Sequence, residues 1–166
     1  SNEFAKNTNI AQLFTINAET YANNIAIKED SQLHSYAELN LHANQIANYL
    51  QSLNIKAGQH IAISLPRSYH LLAYTIACLK MGCIYVPIDI SYPADRIDFL
   101  LQQTQAMAFI SFDKTHNAEV QHNLSLTDIE PLIKQQSTVF SIANNGRCAD
   151  DDIACVLFTS GSTGTP

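Results

Sequence analysis

The sequence predicts an α/β fold, a mostly parallel sheet flanked by helices. Three observations carry that expectation. Apolar runs of strand length, His60–Leu65, Cys83–Val86 and Met107–Ser111, are separated by stretches with helical spacing. Each change of period is punctuated by a proline, a glycine or a capping hydroxyl, at Pro66, Ser68, Gly82 and Pro87. Strand, helix and strand also follow within roughly 30 residues, the length of a βαβ unit, whose right-handed crossover makes a parallel pair.

In order along the chain, Ile10, Leu13, Phe14, Ile16 and Ala18 predict a short amphipathic helix over 10–21. Asn23-Asn24 turns the chain, Ile25–Lys28 reads as a strand, and a second extended piece near Leu33 completes a hairpin around Asp30-Ser31. Ser35-Tyr36-Ala37-Glu38 fits a capping box, the serine hydroxyl accepting the Glu38 N–H and the Glu38 carboxylate returning to the serine N–H. The helix so begun carries Tyr36, Leu39, Ala43, Ile46, Ala47, Leu50 and Leu53 on one face and stops at Asn54. After a turn at Lys56-Ala57-Gly58 and the strand His60–Leu65, Ser68 caps a helix over Tyr69–Met81 that is apolar nearly all round. Such a helix belongs between layers.

Gly82 stands where a helix-ending glycine belongs, and Pro87 stops the strand Cys83–Val86. Ser91 or Tyr92 is the expected cap of a further helix, with Pro93 and Asp95 in its first turn. Asp113–Asp128 reads as surface loop, Glu130–Gln135 as a helical turn, Thr138–Ile142 as an alternating strand, and Asn144-Asn145-Gly146 as a turn. The apolar run Ile153–Leu157 reads as a buried strand.

Composition narrows the function. With 46% hydrophobic and 14% charged residues in 166, the chain is globular, long enough for one domain or part of one. A net charge of −6 with nine Lys and Arg argues against nucleic acid as partner. Cys78, Cys83, Cys148 and Cys155 lack C-x-x-C spacing, so neither zinc nor a redox pair is indicated; their even number permits disulfides, but three of the four lie in apolar runs, where reduced thiols suit a cytoplasmic enzyme. No apolar run approaches the ~20 residues that span a bilayer. His34, His42, His60, His70, His116 and His122 are scattered and read as ordinary. Asp89, Asp95, Arg96 and Asp98 read as helix-start charges with a surface Asp–Arg pair, and Asp150-Asp151-Asp152 as a solvated loop rather than a metal site.

The candidate site follows the last apolar run. Phe158–Pro166 reads FTSGSTGTP. Gly161 and Gly164 permit positive φ and leave no Cβ in the way, so successive N–H groups can converge on an anion. Thr159, Ser160, Ser162 and Thr163 add hydroxyls that can donate to phosphate oxygens. That chemistry suits a polyphosphate, although the same composition fits a flexible Ser/Gly/Thr tail. The strand directly before it favours a site, since ligands of open α/β sheets gather beyond the carboxyl ends of strands. A Walker-type loop is a poor match, because no lysine occurs here.

The loop resembles the phosphate loop of adenylate-forming enzymes, YTSG(S/T)TGxPKG, with Phe158 for the usual tyrosine and the family's lysine falling directly after Pro166. HSYAELN (34–40) is similar to the family's L(T/S)YxEL, with His34 where an apolar residue is usual. LKMGCIYVPID (79–89) resembles LKAGxAYVPID, with Met81 and Ile84 for alanines, and SYPADRI (91–97) continues the likeness. Together they resemble the amino-acid-activating domains of nonribosomal peptide synthetases.

The resemblance implies that residues 1–166 are the first part of the large N-terminal subdomain of an adenylate-forming enzyme, ending within the phosphate loop. It implies ATP and Mg²⁺ as cofactors, an amino acid or other carboxylate as substrate, and a carrier-protein phosphopantetheine thiol as acceptor. Thr159, Ser160, Gly161, Ser162, Thr163 and Gly164 would hold the β- and γ-phosphates; no catalytic or metal-binding residue is expected here. The substrate pocket, metal-binding glutamate and mobile C-terminal lysine would lie beyond Pro166, so the isolated chain is expected to be inactive. The alternatives are an acyl-CoA synthetase-type ligase, a non-catalytic interaction module and an unrelated nucleotide-binding α/β domain.

Overall fold

The structure, a computed structural model, describes residues 25–29 and 32–141. The helix expected over 10–21, the aspartate run at 150–152, the strand Ile153–Leu157 and the loop Thr159–Gly164 lie outside the described residues.

Strands β1 (Ile25–Glu29) and β2 (Gln32–Ser35) pair antiparallel as the predicted hairpin. Helix α1 (Tyr36–Ser52) follows, and Ser35 Oγ accepts the Glu38 N–H at 3.1 Å. The other half of the capping box does not form: the Glu38 carboxylate meets His34 Nδ1 at 3.2 Å. His34 supplies the competing nitrogen at the place where the resemblance has an apolar residue, and its ring stacks on Tyr69 at 3.8 Å. Asn54 ends the helix region with a φ of 65°.

Strand β3 (His60–Ser64), helix α2 (Tyr69–Lys80) and strand β4 (Ile84–Pro87) make the expected βαβ unit, β3 and β4 being parallel. Ser68 Oγ accepts the Leu71 N–H at 3.1 Å, which caps α2. At the other end the Gly82 N–H donates to the Leu79 carbonyl and the Cys83 N–H to the Cys78 carbonyl, the paired bonds of a Schellman turn. That turn needs the positive φ of 73° at Gly82. Cys78 and Cys83 are both buried.

Helix α3 (Ala94–Thr104) has Pro93 itself as N-cap, with no side-chain bond to the first turn. Ser91, expected as cap, is engaged elsewhere: its N–H and hydroxyl both donate to Asp89 Oδ1, at 2.8 and 2.7 Å. Strand β5 (Ala108–Ser111) is as expected. The stretch after it is not all loop, since β6 (His122–Ser125) adds a fourth parallel strand and α4 (Leu126–Ile133) starts well before Glu130. Ser125 caps α4 by accepting the Asp128 N–H at 3.2 Å. Thr138–Ser141 forms no strand. The Thr138 carbonyl accepts from Asn44 Nδ2 instead, and the Val139 carbonyl from Asn48 Nδ2, both at 2.9 Å.

The parallel sheet has the order β4-β3-β5-β6. Alternation along the strands splits the core in two. Ile61, Ile63, Ala108 and Ile110 face α1, α2 and α4 through Leu39, Ile46, Leu50, Tyr74, Ala77 and Ile133. Ala62, Val86 and Phe109 face the opposite way, against Ile97 and Leu101 of α3. Helices on both faces are what a parallel sheet requires.

Candidate functional site

The four parallel strands end together at Pro87, Ser64, Ser111 and Ser125. Ser64 and Ser111 are register partners in the central pair. From β3 the chain leaves to α2 on one face; from β5 it leaves toward Ala118, which packs with α3 on the other. The two exits diverge, and the strand order reverses between β3 and β5. Such a switch point opens a crevice at the carboxyl ends of the strands. Here it is a cleft of about 510 Å³, lined by Ser64, Pro66, Tyr92, Ser111, Phe112 and His116 among others.

The polar groups around this cleft are mostly committed to holding loops. Ser111 Oγ accepts the Lys114 N–H at 3.2 Å, and His116 Nε2 meets Asp98 Oδ1 at 2.7 Å. The two hydrogen bonds from Ser91 hold the Asp89 carboxyl below its ordinary range, with a smaller contribution from the positive charge of Arg96. Arg96 lies over the Tyr92 ring, its guanidinium carbon 3.9 Å from the ring centroid. Arg96 thus stacks on Tyr92 while its charge still acts on Asp89, and Asp98 is engaged by His116 instead. The rim is a concave surface with Ser64 and Ser111 in its lining.

Two polar clusters escaped the sequence reading. In the first, His42 Nε2 lies 3.0 and 3.1 Å from the two Glu130 oxygens, and the Tyr74 hydroxyl donates to Glu130 Oε1 at 2.6 Å. His42 Nδ1 lies 3.2 Å from the Tyr69 hydroxyl. Burial pushes the Glu130 carboxyl up, but the bonds from His42 and Tyr74, with the charges of His42 and His70, outweigh it and leave the carboxyl lowered. Burial first, then the neighbouring carboxylates, raise the Tyr69 and Tyr74 phenols, so both stay neutral donors. In the second cluster Lys80, 1% exposed, donates from Nζ to Asn40 Oδ1 and, at 2.8 Å, to Asn44 Oδ1. His42 and Glu130 are 88 residues apart, so no local pattern could have paired them. Lys80 and Asn44 gave a weak signal: both occupy positions that helical periodicity assigns to the buried face.

Among the described residues no group of three or more His, Cys, Asp or Glu could hold a metal ion, and no helix is long and apolar enough to cross a membrane. The six residues proposed from sequence to bind phosphate, Thr159–Gly164, fall outside the described residues.

Comparison with known proteins bears on the whole chain. Over 165 residues it is 32% identical to tyrocidine synthase 1 of Brevibacillus parabrevis, matching 98% of this chain and 15% of that protein. Over 166 residues it is 31% identical to gramicidin S synthase 1 of Brevibacillus brevis, matching 99% of this chain and 15% of that one. The chain thus spans a small part of these relatives. Among solved structures, the N-terminal domain of FACL13 from Mycobacterium tuberculosis superposes with a TM-score of 0.76 at 21% identity, covering 87% of this chain and 40% of that one. Klebsiella oxytoca NpsA, solved with 3-hydroxyanthranilyl-AMSN, superposes with a TM-score of 0.72 at 24% identity, covering 82% and 28%. These two likenesses bear on the fold alone. The model of the AMP-binding enzyme family matches residues 14–166, through the hydroxyl-rich loop, and on that match the chain belongs to the AMP-binding enzyme family.

Proposed function

We propose that this chain is the N-terminal, nucleotide-holding part of an ATP-dependent ligase that adenylates an amino acid or another carboxylic acid. The observation that carries the reading is the family match running through Thr159–Gly164. The parallel sheet supports it, since its carboxyl rim is where such folds take ligands. A carboxylate is a weak nucleophile, so the enzyme must align it with the α-phosphate and stabilise the charge that passes to the departing pyrophosphate. The acyl-adenylate is then consumed by a thiol.

In this proposal Gly161 and Gly164 let the backbone N–H groups approach the β- and γ-phosphates, while Thr159, Ser160, Ser162 and Thr163 donate from their hydroxyls. They orient the triphosphate and move no proton. By the resemblance of its motifs to adenylate-forming enzymes, the parent enzyme would use Mg²⁺ held by a glutamate beyond Pro166. The peptide-synthetase relatives favour a phosphopantetheine thiol on a carrier protein as acceptor, and the artificial adenylation–carrier fusion NpsA-ThdA is a structural neighbour with that arrangement. Coenzyme A is the second reading, favoured by the likeness to the anthranilate CoA ligase AuaEII, TM-score 0.75.

The test is carboxylate-dependent exchange of pyrophosphate into ATP by the parent enzyme, followed by thioester formation on carrier protein or on coenzyme A. Replacing Ser162 and Thr163 together by alanine is expected to raise the KM for ATP at least tenfold, since a hydrogen bond to a charged group contributes about 1.5–3 kcal/mol. Unchanged exchange in that variant would favour the interaction-module reading. The 166-residue chain alone is expected to give no exchange.

A further inference from the structure

The connection from β5 to β6 is built differently from the two before it. Helix α2 carries the crossover from β3 to β4 and helix α3 the one from β4 to β5, whereas residues 112–121, between β5 and β6, hold neither helix nor strand. Parallel strands are usually joined through a helix, which closes its own backbone hydrogen bonds. An irregular crossover depends instead on its ties to its neighbours.

Two local bonds shape the start of this segment, the Lys114 N–H donating to Ser111 Oγ at 3.2 Å and the Thr115 N–H to Asp113 Oδ1 at 3.3 Å. Past Phe112, the more distant polar ties among the described residues meet at His116. Its Nε2 lies 2.7 Å from Asp98 Oδ1 on α3, and its carbonyl accepts from Asn123 Nδ2 on β6 at 3.1 Å. Its ring stands edge-on to Phe109 of β5, with centroids 6.2 Å apart. Ala118 and Val120 add apolar contacts to the smaller core. The His116–Asp98 pair also stands between two hollows. His116 lines the cleft at the carboxyl ends of the strands, and Asp98 lines a second cavity of about 660 Å³ with Gln102, Gln105, Glu119 and Gln121.

We infer that residues 113–121 form a strap that opens away from α3, with the His116–Asp98 pair as its clasp, and that opening joins the two cavities into one groove along α3. The inference does not depend on the adenylation reading. Two features of the closed strap lower the work of opening it. Asn123 Oδ1 is buried with no hydrogen-bond partner among the described residues, although the same amide holds the His116 carbonyl through Nδ2. A buried acceptor left unpaired costs free energy that contact with solvent returns. Lys114 holds a φ of 61°, a left-handed conformation that a residue with a side chain adopts at a cost. Both costs fall on the closed form. Little apolar surface resists, since Asp113, Lys114, Thr115, Asn117 and Glu119 are already exposed.

Opening changes what the cleft offers. In the closed form Ser111 Oγ is taken by the Lys114 N–H, and the Asp98 carboxylate by His116. Release frees the hydroxyl, the imidazole and the carboxylate together, so a polar ligand in the groove competes with the strap for the same groups. A ligand that takes those bonds holds the strap open.

Native-state hydrogen exchange in the full 166-residue chain tests the inference at two amides. The Ala118 N–H donates to the His116 carbonyl within the strap, and Ile110, fully buried on β5, sits inside the sheet. After correction for intrinsic rates, Ala118 is expected to exchange at least about a hundredfold faster than Ile110. His116→Ala and Asp98→Ala should each speed Ala118 about tenfold and leave Ile110 unchanged, and the double variant should add little more, because either change opens the clasp. Equal exchange at the two amides of the natural protein overturns the inference, since the strap would then leave only on global unfolding. So does exchange at Ala118 that neither change moves. Should His116→Ala fail to fold, Asp98→Ala decides, because the Asp98 side chain is 55% exposed. Ala118→Cys reads the underside of the strap directly. Maleimide labelling of the introduced thiol, located by mass spectrometry, is expected to be about tenfold faster when combined with Asp98→Ala; labelling at the same rate with the clasp intact and removed overturns the inference.

Discussion

Glu130 sits partly buried with His42 Nε2 and the Tyr74 hydroxyl both within hydrogen-bond distance, so its carboxylate stays ionised where burial alone would favour the acid form. The direction of the pH effect follows. A carboxyl whose folded pKa is depressed below its unfolded value, 4.5, contributes stability in full above that value and loses it as pH falls through the folded one. Glu130→Gln is therefore expected to lower stability by about 1–2 kcal/mol at pH 7. In urea melts the gap to the natural protein should narrow below pH ~4. A gap that widens on acidification would mean the sign is wrong. Lys80 makes the companion case. Its ammonium is held by two asparagine oxygens on α1, and Lys80→Met would keep most of the volume while removing the donor to both. Two buried acceptors losing their partner predict a loss of about 2 kcal/mol or more by the same measurement.

At the scale of elements, α1 does more than bury an apolar stripe. Gln45 Nε2 donates to the Lys134 and Gln136 carbonyls at 3.2 and 3.1 Å, Asn44 to Thr138, and Asn48 to Ser137 and Val139 at 2.9 Å each. Three amide side chains thus satisfy carbonyls of residues 134–139 that no strand pairs. Asn48→Ala is expected to cost about 1–2 kcal/mol and to speed protease cleavage between Lys134 and Ser141, with cleavage elsewhere unaltered. The arrangement also shows what could be read in advance. The starts of α1 and α2 were legible because Ser35 and Ser68 cap within three residues, and the end of α2 because Gly82 closes a local turn. β6 was hidden: it is four residues long, with only Leu124 apolar, and its partner β5 supplies the order. Residues 138–141 misled because alternation promises a strand only where another strand is available. The candidate loop at 159–164 was proposed from glycine and hydroxyl spacing alone, and it lies outside the described residues.

The whole molecule hangs on a sheet with unequal layers. On one side α1, α2 and α4 bury a large apolar core; on the other α3 closes a smaller one around Phe109. Both cores share β3 and β5, and consecutive residues of β5 divide between them: Phe109, 1% exposed, faces α3, and Ile110, fully buried, faces α1 and α2. If the layers are one cooperative unit, damage on either face must be felt by the other through that shared strand. Phe109→Ala should cost about 3–5 kcal/mol and Ile110→Ala about 2–5 kcal/mol. Each should shift a single urea transition to a lower midpoint with its slope unchanged, because the slope reports the surface exposed on unfolding. Near-ultraviolet tyrosine signals and far-ultraviolet helix signals should fall together in both variants. A second transition in Phe109→Ala alone, with the first midpoint unmoved, would show that α3 and its core open independently. The carboxyl rim would then be a junction of two separately stable parts, with Tyr92 and Arg96 of the crevice moving with α3 and Ser64 staying with the larger core.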